Sequence, residues 1–299
     1  MKNILIAGGT GFIGNKLANN LYAEGHNVSL LSRNPSQSGK FPVFGWDPAN
    51  GKIDQNALQN IDIVINLAGS GIAKWPWSKK RKSSIYNSRI LSTRLLVDSI
   101  INNEFKPLLF ITVSATGYYG HREGEKISEL SPAGTDFLSR VCKDWENETL
   151  RLKDLEIPVA IIRTGIVLSN KGGSLPVLLI PFKFRLNVLF NKGIHFVSWI
   201  HIDDLTKIFS GIINKKLLPG LYNAVSPMAV SQKKFNDAIC SIMGRKTLNI
   251  NIPKKLIEIF MGEMASVIID DQNIIPAHLQ AQDFNFQFQE VSEALKNLL

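Results

Sequence analysis

The sequence predicts an α/β protein built on a doubly wound, Rossmann-type parallel sheet, with a small, mostly helical C-terminal subdomain. Three observations carry this. Short apolar runs alternate with helical patterns through the first half of the chain. The glycine turn Gly8-Gly9-Thr10-Gly11-Phe12-Ile13-Gly14 stands between the first apolar run and the first helical pattern. Residues 61–67 are almost continuously apolar, as in a strand that a parallel sheet buries on both faces.

Taken in order, residues 4–7 read as a strand and 13–23 as a helix that stops at Gly25, a residue suited to a helix end. Residues 28–31 and 61–67 read as further strands. Residues 88–101 form a helix whose broad apolar face is Ile90, Leu91, Leu95, Val97 and Ile101. A strand over 108–113, a helix over 137–152 and a strand over 159–163 follow. After Gly165 the pattern is less regular. Residues 199–213 give a short strand and then a helix, opened by Asp203 and Asp204 where the helix dipole favours acids. Residues 221–224 read as a strand and 231–243 as a helix capped by Ser231. From residue 252 the chain reads as mostly helical, broken by Pro253 and Pro276. The expected division is a dinucleotide-binding domain over 1–230, with insertions at about 170–200, and a small domain over 231–299. The second part is expected to cover the carboxyl edge of the sheet and form one side of a cleft on the substrate side.

The chain has 299 residues, with 34 Lys and Arg against 25 Asp and Glu, a formal charge of +9. That balance favours anionic partners such as nucleotide phosphates. The dense run Lys79, Lys80, Arg81, Lys82 leads into a helical pattern and reads as an exposed helix start, so no nucleic-acid partner is expected. Two cysteines, Cys142 and Cys240, cannot make a disulfide framework and fit a reducing compartment. The chain enters an apolar strand directly after Met1, Lys2 and Asn3, so no signal peptide is expected and the cytoplasm is the expected location. The apolar stretch 175–190 is broken by Pro181, Lys183 and Arg185, which argues against a membrane span. No His or Cys spacing suggests a metal site.

In the glycine turn, Gly8 permits the tight bend, Gly11 lets the backbone approach a pyrophosphate, and Gly14 lets the helix pack close to the strand. The helix start then offers free N–H groups at Phe12 and Ile13 to phosphates. About 20 residues further on, an NAD site places a carboxylate for the ribose 2′-hydroxyl. Here Ser32, Arg33 and Asn34 stand there instead. A carboxylate repels a 2′-phosphate, whereas the Arg33 fork can pair with it and Ser32 can add a hydrogen bond, so NADP is favoured over NAD.

The turn, the strand end Asn66-Leu67-Ala68-Gly69 and the strand end Arg163-Thr164-Gly165 resemble those of the extended short-chain dehydrogenase/reductases. Further segments narrow the resemblance: Gly45-Trp46-Asp47-Pro48, Ser88-Arg89, residues 114–120 and 141–146, residues 196–204 and Gly262-Glu263-Met264. Together they are similar to the atypical "epimerase family" branch, which carries a small C-terminal domain of unknown function. The resemblance covers essentially the whole chain and implies a Rossmann fold and NADP binding. It extends the cofactor site to Leu67, Ala68 and Gly69 at a central strand end and to Arg89 over the cleft. Arg163 ends a buried apolar strand, where a charge needs a partner: a ligand phosphate or a carboxylate.

Active members of the wider superfamily use a tyrosine four residues before a lysine on one helix. No tyrosine here has that lysine. Aligned by Trp145 and Glu146, the two positions are Leu138 and Cys142; a shift by one gives Ser139 and Lys143. Tyr118 has Arg122 at that spacing, but Gly120 intervenes and arginine does not give up its proton. Ser114, Tyr118 and Tyr119 remain as catalytic candidates, with Thr116 and His201 behind them. The expected function is an NADP(H)-dependent oxidoreductase or a nucleotide-sugar-type epimerase acting on a small polar substrate. The alternative is a non-catalytic NADP(H)-binding regulatory or redox-sensing protein. A homodimer paired through the helices at 88–101 and 137–152 is the expected assembly if the chain follows its superfamily.

Overall fold

A central eight-stranded sheet organises the chain, seen here in a computed structural model that describes residues 1–35, 39–73, 76–102, 106–244 and 246–299. The first half runs β1 (Asn3–Ala7), α1 (Phe12–Ala23), β2 (Asn27–Ser32), β3 (Val43–Asp47), β4 (Lys52–Ile53), β5 (Ile63–Asn66), α2 (Lys79–Asn102), β6 (Leu109–Ala115), β7 (Lys126–Ile127), α3 (Phe137–Leu150) and β8 (Val159–Thr164). The second half runs β9 (Ile166–Leu168), α4 (Leu175–Leu178), α5 (Ile180–Lys183), β10 (Leu186–Phe190), β11 (Phe196–Val197), β12 (Trp199–His201), α6 (Ile202–Ile213), β13 (Leu221–Ala224), β14 (Val230–Ser231) and α7 (Gln232–Met243). It ends with β15 (Leu248–Ile252), α8 (Lys254–Met261), α9 (Ser266–Ile269), β16 (Asn273–Ile274), α10 (Ala277–Ala281) and α11 (Val291–Leu298).

The sheet order is β13-β8-β6-β5-β1-β2-β3-β4. Its pairs are parallel except β3 with β4. The chain winds outward from β1 through β2 and β3, then returns beside β1 and winds the other way from β5 to β13. The order therefore reverses between β1 and β5, and that crevice is where such sheets bind ligands.

The strands read as unbroken apolar runs because both faces are covered. In β1, Ile4 and Ile6 pack with Leu17 and Leu21 of α1 and Leu205 and Phe209 of α6. Leu5 and Ala7 turn the other way, into a layer with Leu96, Val97 and Ile100 of α2. Each such buried Leu or Ile contributes roughly 1.5–3 kcal/mol. A third cluster joins Leu168 and Trp199 to Phe235 and Ile239 of α7 and Val291 and Leu295 of α11. It attaches the helical C-terminal region to the sheet.

The structure departs from the periodicity in several places. The second helix begins at Lys79, well before the apolar face at residue 88. Its first turns are held by polar ties: Arg81 donates to Ser70 Oγ at 3.0 Å and to the Gly71 carbonyl, and Lys82 pairs with Glu263. The basic run is thus a helix start, as expected, but half of it is engaged by the chain itself. Strand β3 carries Gly45 and Asp47 and lies toward the sheet edge, so no apolar run announces it. Strands β10 and β15 form a separate parallel pair. Ser231 caps α7, accepting from Lys234 N at 3.3 Å.

Candidate functional site

The β1–α1 turn is shaped by what a side chain there would meet. Gly8 has φ +78°, and a Cβ on it would lie 2.8 Å from the Leu67 carbonyl carbon. A Cβ on Gly14 would lie on the Gly8 carbonyl and 2.6 Å from Gly9 Cα. The turn closes with Gly11 N donating to Gly8 O at 3.0 Å. Gly11 is the N-cap of α1 and no side chain caps the helix, so its first N–H groups, at Phe12 and Ile13, stay available. The Phe12 ring leans on the Gly172-Gly173 segment, and Ile13 packs against the core.

The neighbouring strand ends bring the other expected residues to the same edge. Ala7 stands in register with Leu31 on one side and Asn66 on the other. Leu67 N donates to the Ala7 carbonyl at 2.8 Å, and Ala68 N donates to Asn66 Oδ1 at 3.1 Å. Ser32 Oγ accepts from Asn34 N at 3.2 Å, which rounds the end of β2. Arg33 is exposed and makes no hydrogen bond or ion pair with any described residue. Gly8, Gly11, Phe12, Ile13, Gly14, Ser32, Arg33, Leu67, Ala68 and Gly69 therefore gather around the switch point.

Arg89 reaches this edge in a different role from a free phosphate ligand. Its guanidinium lies against Gly69, and its Nη1 donates to the carbonyls of Ser70 and Ile85, both at 3.0 Å. It stacks 5.3 Å from the Trp145 ring centre. No carboxylate pairs with it among the described residues, and burial pulls its pKa below the ordinary arginine value. It fixes the loop after β5 and leaves a positive charge beside that loop.

Arg163 requires a correction. It is 3% exposed and faces Glu146 of α3, not the cleft. Its Nε and Nη2 donate to the two Glu146 oxygens at 2.8 and 2.7 Å, and its Nη1 donates to the Tyr119 hydroxyl at 2.9 Å. Burial opposes its charge, but the Glu146 carboxylate holds its pKa above the usual arginine value. The partner the charge needed is a carboxylate of the same chain.

Two catalytic candidates belong to the same enclosed network. Ser114, cross-strand partner of Arg163, is 1% exposed and donates to Glu146 Oε1 at 2.7 Å. Tyr119 is fully buried and donates to Asn223 Oδ1 at 2.6 Å. Burial pushes its hydroxyl up to about 12, too high to exchange a proton near neutrality. Tyr118 is different: its ring lies under the Arg163 guanidinium at 3.3 Å, it is half-buried, and its hydroxyl bonds to no described residue. His201 caps α6, its Nδ1 accepting from Asp203 N at 3.1 Å. Burial pushes the Cys142 thiol up to about 12 as well, so the residue at the usual lysine position is inert.

Glu146 and Asp270 were not legible as site residues. Glu146 is one of three acidic residues in α3, with Asp144 and Glu148, and nothing local marks it as the partner of a strand 17 positions on. Asp270 lies in the C-terminal region and is carried to the carboxyl edge by its neighbours. Asp271 N donates to His121 Nδ1 at 3.0 Å, and Gln272 Nε2 donates to the carbonyls of Thr116 and Gly120 at 3.2 and 3.1 Å.

A parallel sheet with a glycine cradle at its switch point and a bare helix start beside it defines a Rossmann-type nucleotide-binding protein. Residues 4–224 match the profile of the NAD dependent epimerase/dehydratase family, and residues 252–298 match a domain of unknown function, DUF1731. The chain belongs to this family. An epimerase family protein of Staphylococcus saprophyticus is 34% identical over 302 residues, covering all of both chains. The crystal structure of a human epimerase family protein with NADPH is 29% identical with a TM-score of 0.88, covering 99% of this chain and 98% of that one. A nucleoside-diphosphate sugar epimerase from Corynebacterium glutamicum is 31% identical with a TM-score of 0.79; it covers all of this chain, which spans 58% of that longer one. Among the described residues no helix is long and apolar enough to cross a membrane.

Proposed function

We propose that the chain binds NADP(H) at the β1–β5 switch point and works as an oxidoreductase or nucleotide-sugar-type epimerase on a small polar substrate. The observation that carries the reading is the combination of a cradle that admits no Cβ with an exposed Arg33 at the end of β2 that no described residue engages. The N–H groups of Phe12 and Ile13 face the pyrophosphate. Arg33 pairs with the 2′-phosphate and Ser32 adds a hydrogen bond. The backbone from Leu67 to Gly69 lines the adenosine side, its course fixed by Arg89. When bound, the nicotinamide supplies or accepts a hydride. The hydroxyl of Tyr118, which bonds to no described residue, is the one of the three catalytic candidates that the buried network does not consume. The NADPH in the human relative supports the choice of cofactor.

A second reading, a non-catalytic sensor of the NADP(H) state, is favoured by one observation. Helix α3 offers Leu138 and the inert Cys142 where the superfamily has its tyrosine and lysine.

Calorimetric titration with NADPH, NADP+, NADH and NAD+ tests the reading. The phosphorylated pair is expected to bind more tightly, and Arg33→Asp is expected to cost about ten- to a hundredfold in NADP affinity, the range of a lost charged hydrogen bond. Equal affinities before and after the substitution would sink the assignment. Unequal binding of the two redox forms, with no turnover on any carbonyl or sugar panel, would move the protein to the sensor reading.

A further inference from the structure

The short helices α4 and α5 are apolar on two opposite sides. They follow one another through Leu179, which is itself right-handed helical with φ −77° and ψ −14°. Leu175, Leu179 and Phe182 turn inward and pack with Trp199 and with Phe235 of α7. At helical spacing the opposite side carries Val177, Ile180 and Phe184, all exposed. Phe184 is 73% exposed. Leu248, 66% exposed, extends this stripe, because its N–H donates to the Arg185 carbonyl at 2.8 Å where β10 and β15 begin to pair. Single exposed apolar residues are ordinary, but a contiguous stripe of them marks a surface that something covers.

The charges around the stripe have one sign. Lys183, Arg185 and Lys246 are exposed beside it, and their side chains make no hydrogen bond or ion pair with any described residue. The chain has no Asp or Glu between residues 157 and 202, and none between residues 238 and 257. Asp237, the acid of α7, is held by Lys233 at 2.9 Å. A second copy seated on the same patch about a twofold axis would set these cations against their own counterparts. A nucleic acid would satisfy the cations and leave the aliphatic stripe in water. An anionic bilayer satisfies both, with acyl chains against the stripe and headgroups against the cations.

We infer that residues 177–185 and 246–248 dock this protein on an anionic phospholipid surface. Phe184 and Leu248 enter the boundary between headgroups and acyl chains, and Lys183, Arg185 and Lys246 pair with the headgroups. The contact is peripheral, since two helical turns are far shorter than a bilayer span. Each cation held near such a surface strengthens partition about fivefold, and the apolar side chains add to it. The inference goes beyond the nucleotide reading and does not depend on it, because it uses none of the residues assigned to the cofactor.

The test is flotation of the full chain with vesicles of phosphatidylcholine containing about 30% phosphatidylserine, against vesicles of phosphatidylcholine alone. The protein should float with the anionic vesicles. Partition should fall at least about tenfold on the zwitterionic ones, and again when salt is raised from about 0.1 to 0.5 M. Phe184→Ser should weaken partition about tenfold, the worth of burying an aromatic side chain. The double variant Lys183→Glu, Lys246→Glu should weaken it at least as much. These positions are exposed, so both variants should keep the urea midpoint of the wild type. Leu130→Ser, which removes an exposed leucine elsewhere on the surface, should float like the wild type. Equal partition onto the two vesicle types, no flotation with either, wild-type partition of Phe184→Ser, or an equal loss in Leu130→Ser overturns the inference. A dimer in analytical ultracentrifugation that Phe184→Ser dissolves would overturn it in favour of a second copy as the occupant.

Discussion

Replacing Glu146 with alanine should destabilise the protein far more than a typical substitution, without touching the nucleotide cradle. Glu146 accepts from Ser114 Oγ at 2.7 Å, from Arg163 Nε at 2.8 Å and from Arg163 Nη2 at 2.7 Å. Both members of the ion pair are less than a tenth exposed. Their attraction and their desolvation largely cancel while the pair is intact, so the pair itself adds little net stability. Removing one member leaves a guanidinium enclosed without its anion, which costs about 3–5 kcal/mol. Urea unfolding followed by tryptophan fluorescence reads the loss as a lower midpoint with an unchanged slope. The double variant Glu146→Leu, Arg163→Met should recover most of it and come within about 2 kcal/mol of the wild type, because neither buried charge is then orphaned. The same double variant should keep its NADPH affinity, since Arg163 faces Glu146 and not the cleft. A loss below about 1 kcal/mol for Glu146→Ala, or loss of NADPH binding in the double variant, would refute the assignment of Arg163 to a structural pair.

Three further outcomes are expected. Gly14→Ala should weaken every nicotinamide nucleotide alike, because its Cβ would meet the backbone of Gly8 and Gly9; overpacking of this kind costs about 1–3 kcal/mol, and unchanged affinity in titration would show that the helix can move away freely. Asp270 holds its proton up to about pH 7 in the fold and releases it at about pH 3.9 when unfolded, so the folded chain binds more protons in that window and stability falls as pH rises through it. Asp270→Asn should therefore match the wild type near pH 4 and exceed it by a few kcal/mol at about pH 8; a constant difference across a pH series of melts would contradict this. Cys142 is buried and its thiol is pushed up to about 12, so Cys240→Ser should abolish reaction of the native protein with a disulfide reagent, and residual labelling at Cys142 would show that α3 opens.

What could be read from the sequence follows from how locally each feature is determined. The strands at 4–7, 61–67 and 159–163 were plain because helices cover both faces, so their central positions are apolar and polar residues such as Asn66 and Arg163 fall at the ends. The glycine turn was plain because contacts within six residues fix Gly11 and Gly14 and the left-handed bend fixes Gly8, although the backbone that also crowds Gly8, at Leu67, lies far along the chain. By contrast, β3 lies near the sheet edge, is interrupted by Gly45 and ends on Asp47, and β10 finds its partner β15 some sixty residues away. Both depend on pairings that no local window contains. The argument that a charge at Arg163 needs a partner was sound, but which partner depends on the rotation of α3 against β8. That rotation points Glu146 inward. The catalytic candidates Ser114 and Tyr119 failed for the same reason: the strand end places them, and packing decides whether they face the crevice or the interior. Asp270 carries no local signal, since only its bonded neighbours deliver it to the carboxyl edge of the sheet.

The anchoring of residues 270–278 has a consequence for how the protein is made. Strand β16 pairs with β7, and Glu129 accepts from Asn223 N, Ala277 N and His278 N at 3.0, 3.1 and 3.3 Å. The loop that follows β6 is therefore held by a segment synthesised some 150 residues later. On the ribosome, the β1–α1 turn can meet its neighbour Leu67 as soon as the end of β5 has emerged. The contacts that hold the loop after β6 must wait for this late segment. A growing chain would thus shape the glycine turn well before the loop after β6 is fixed.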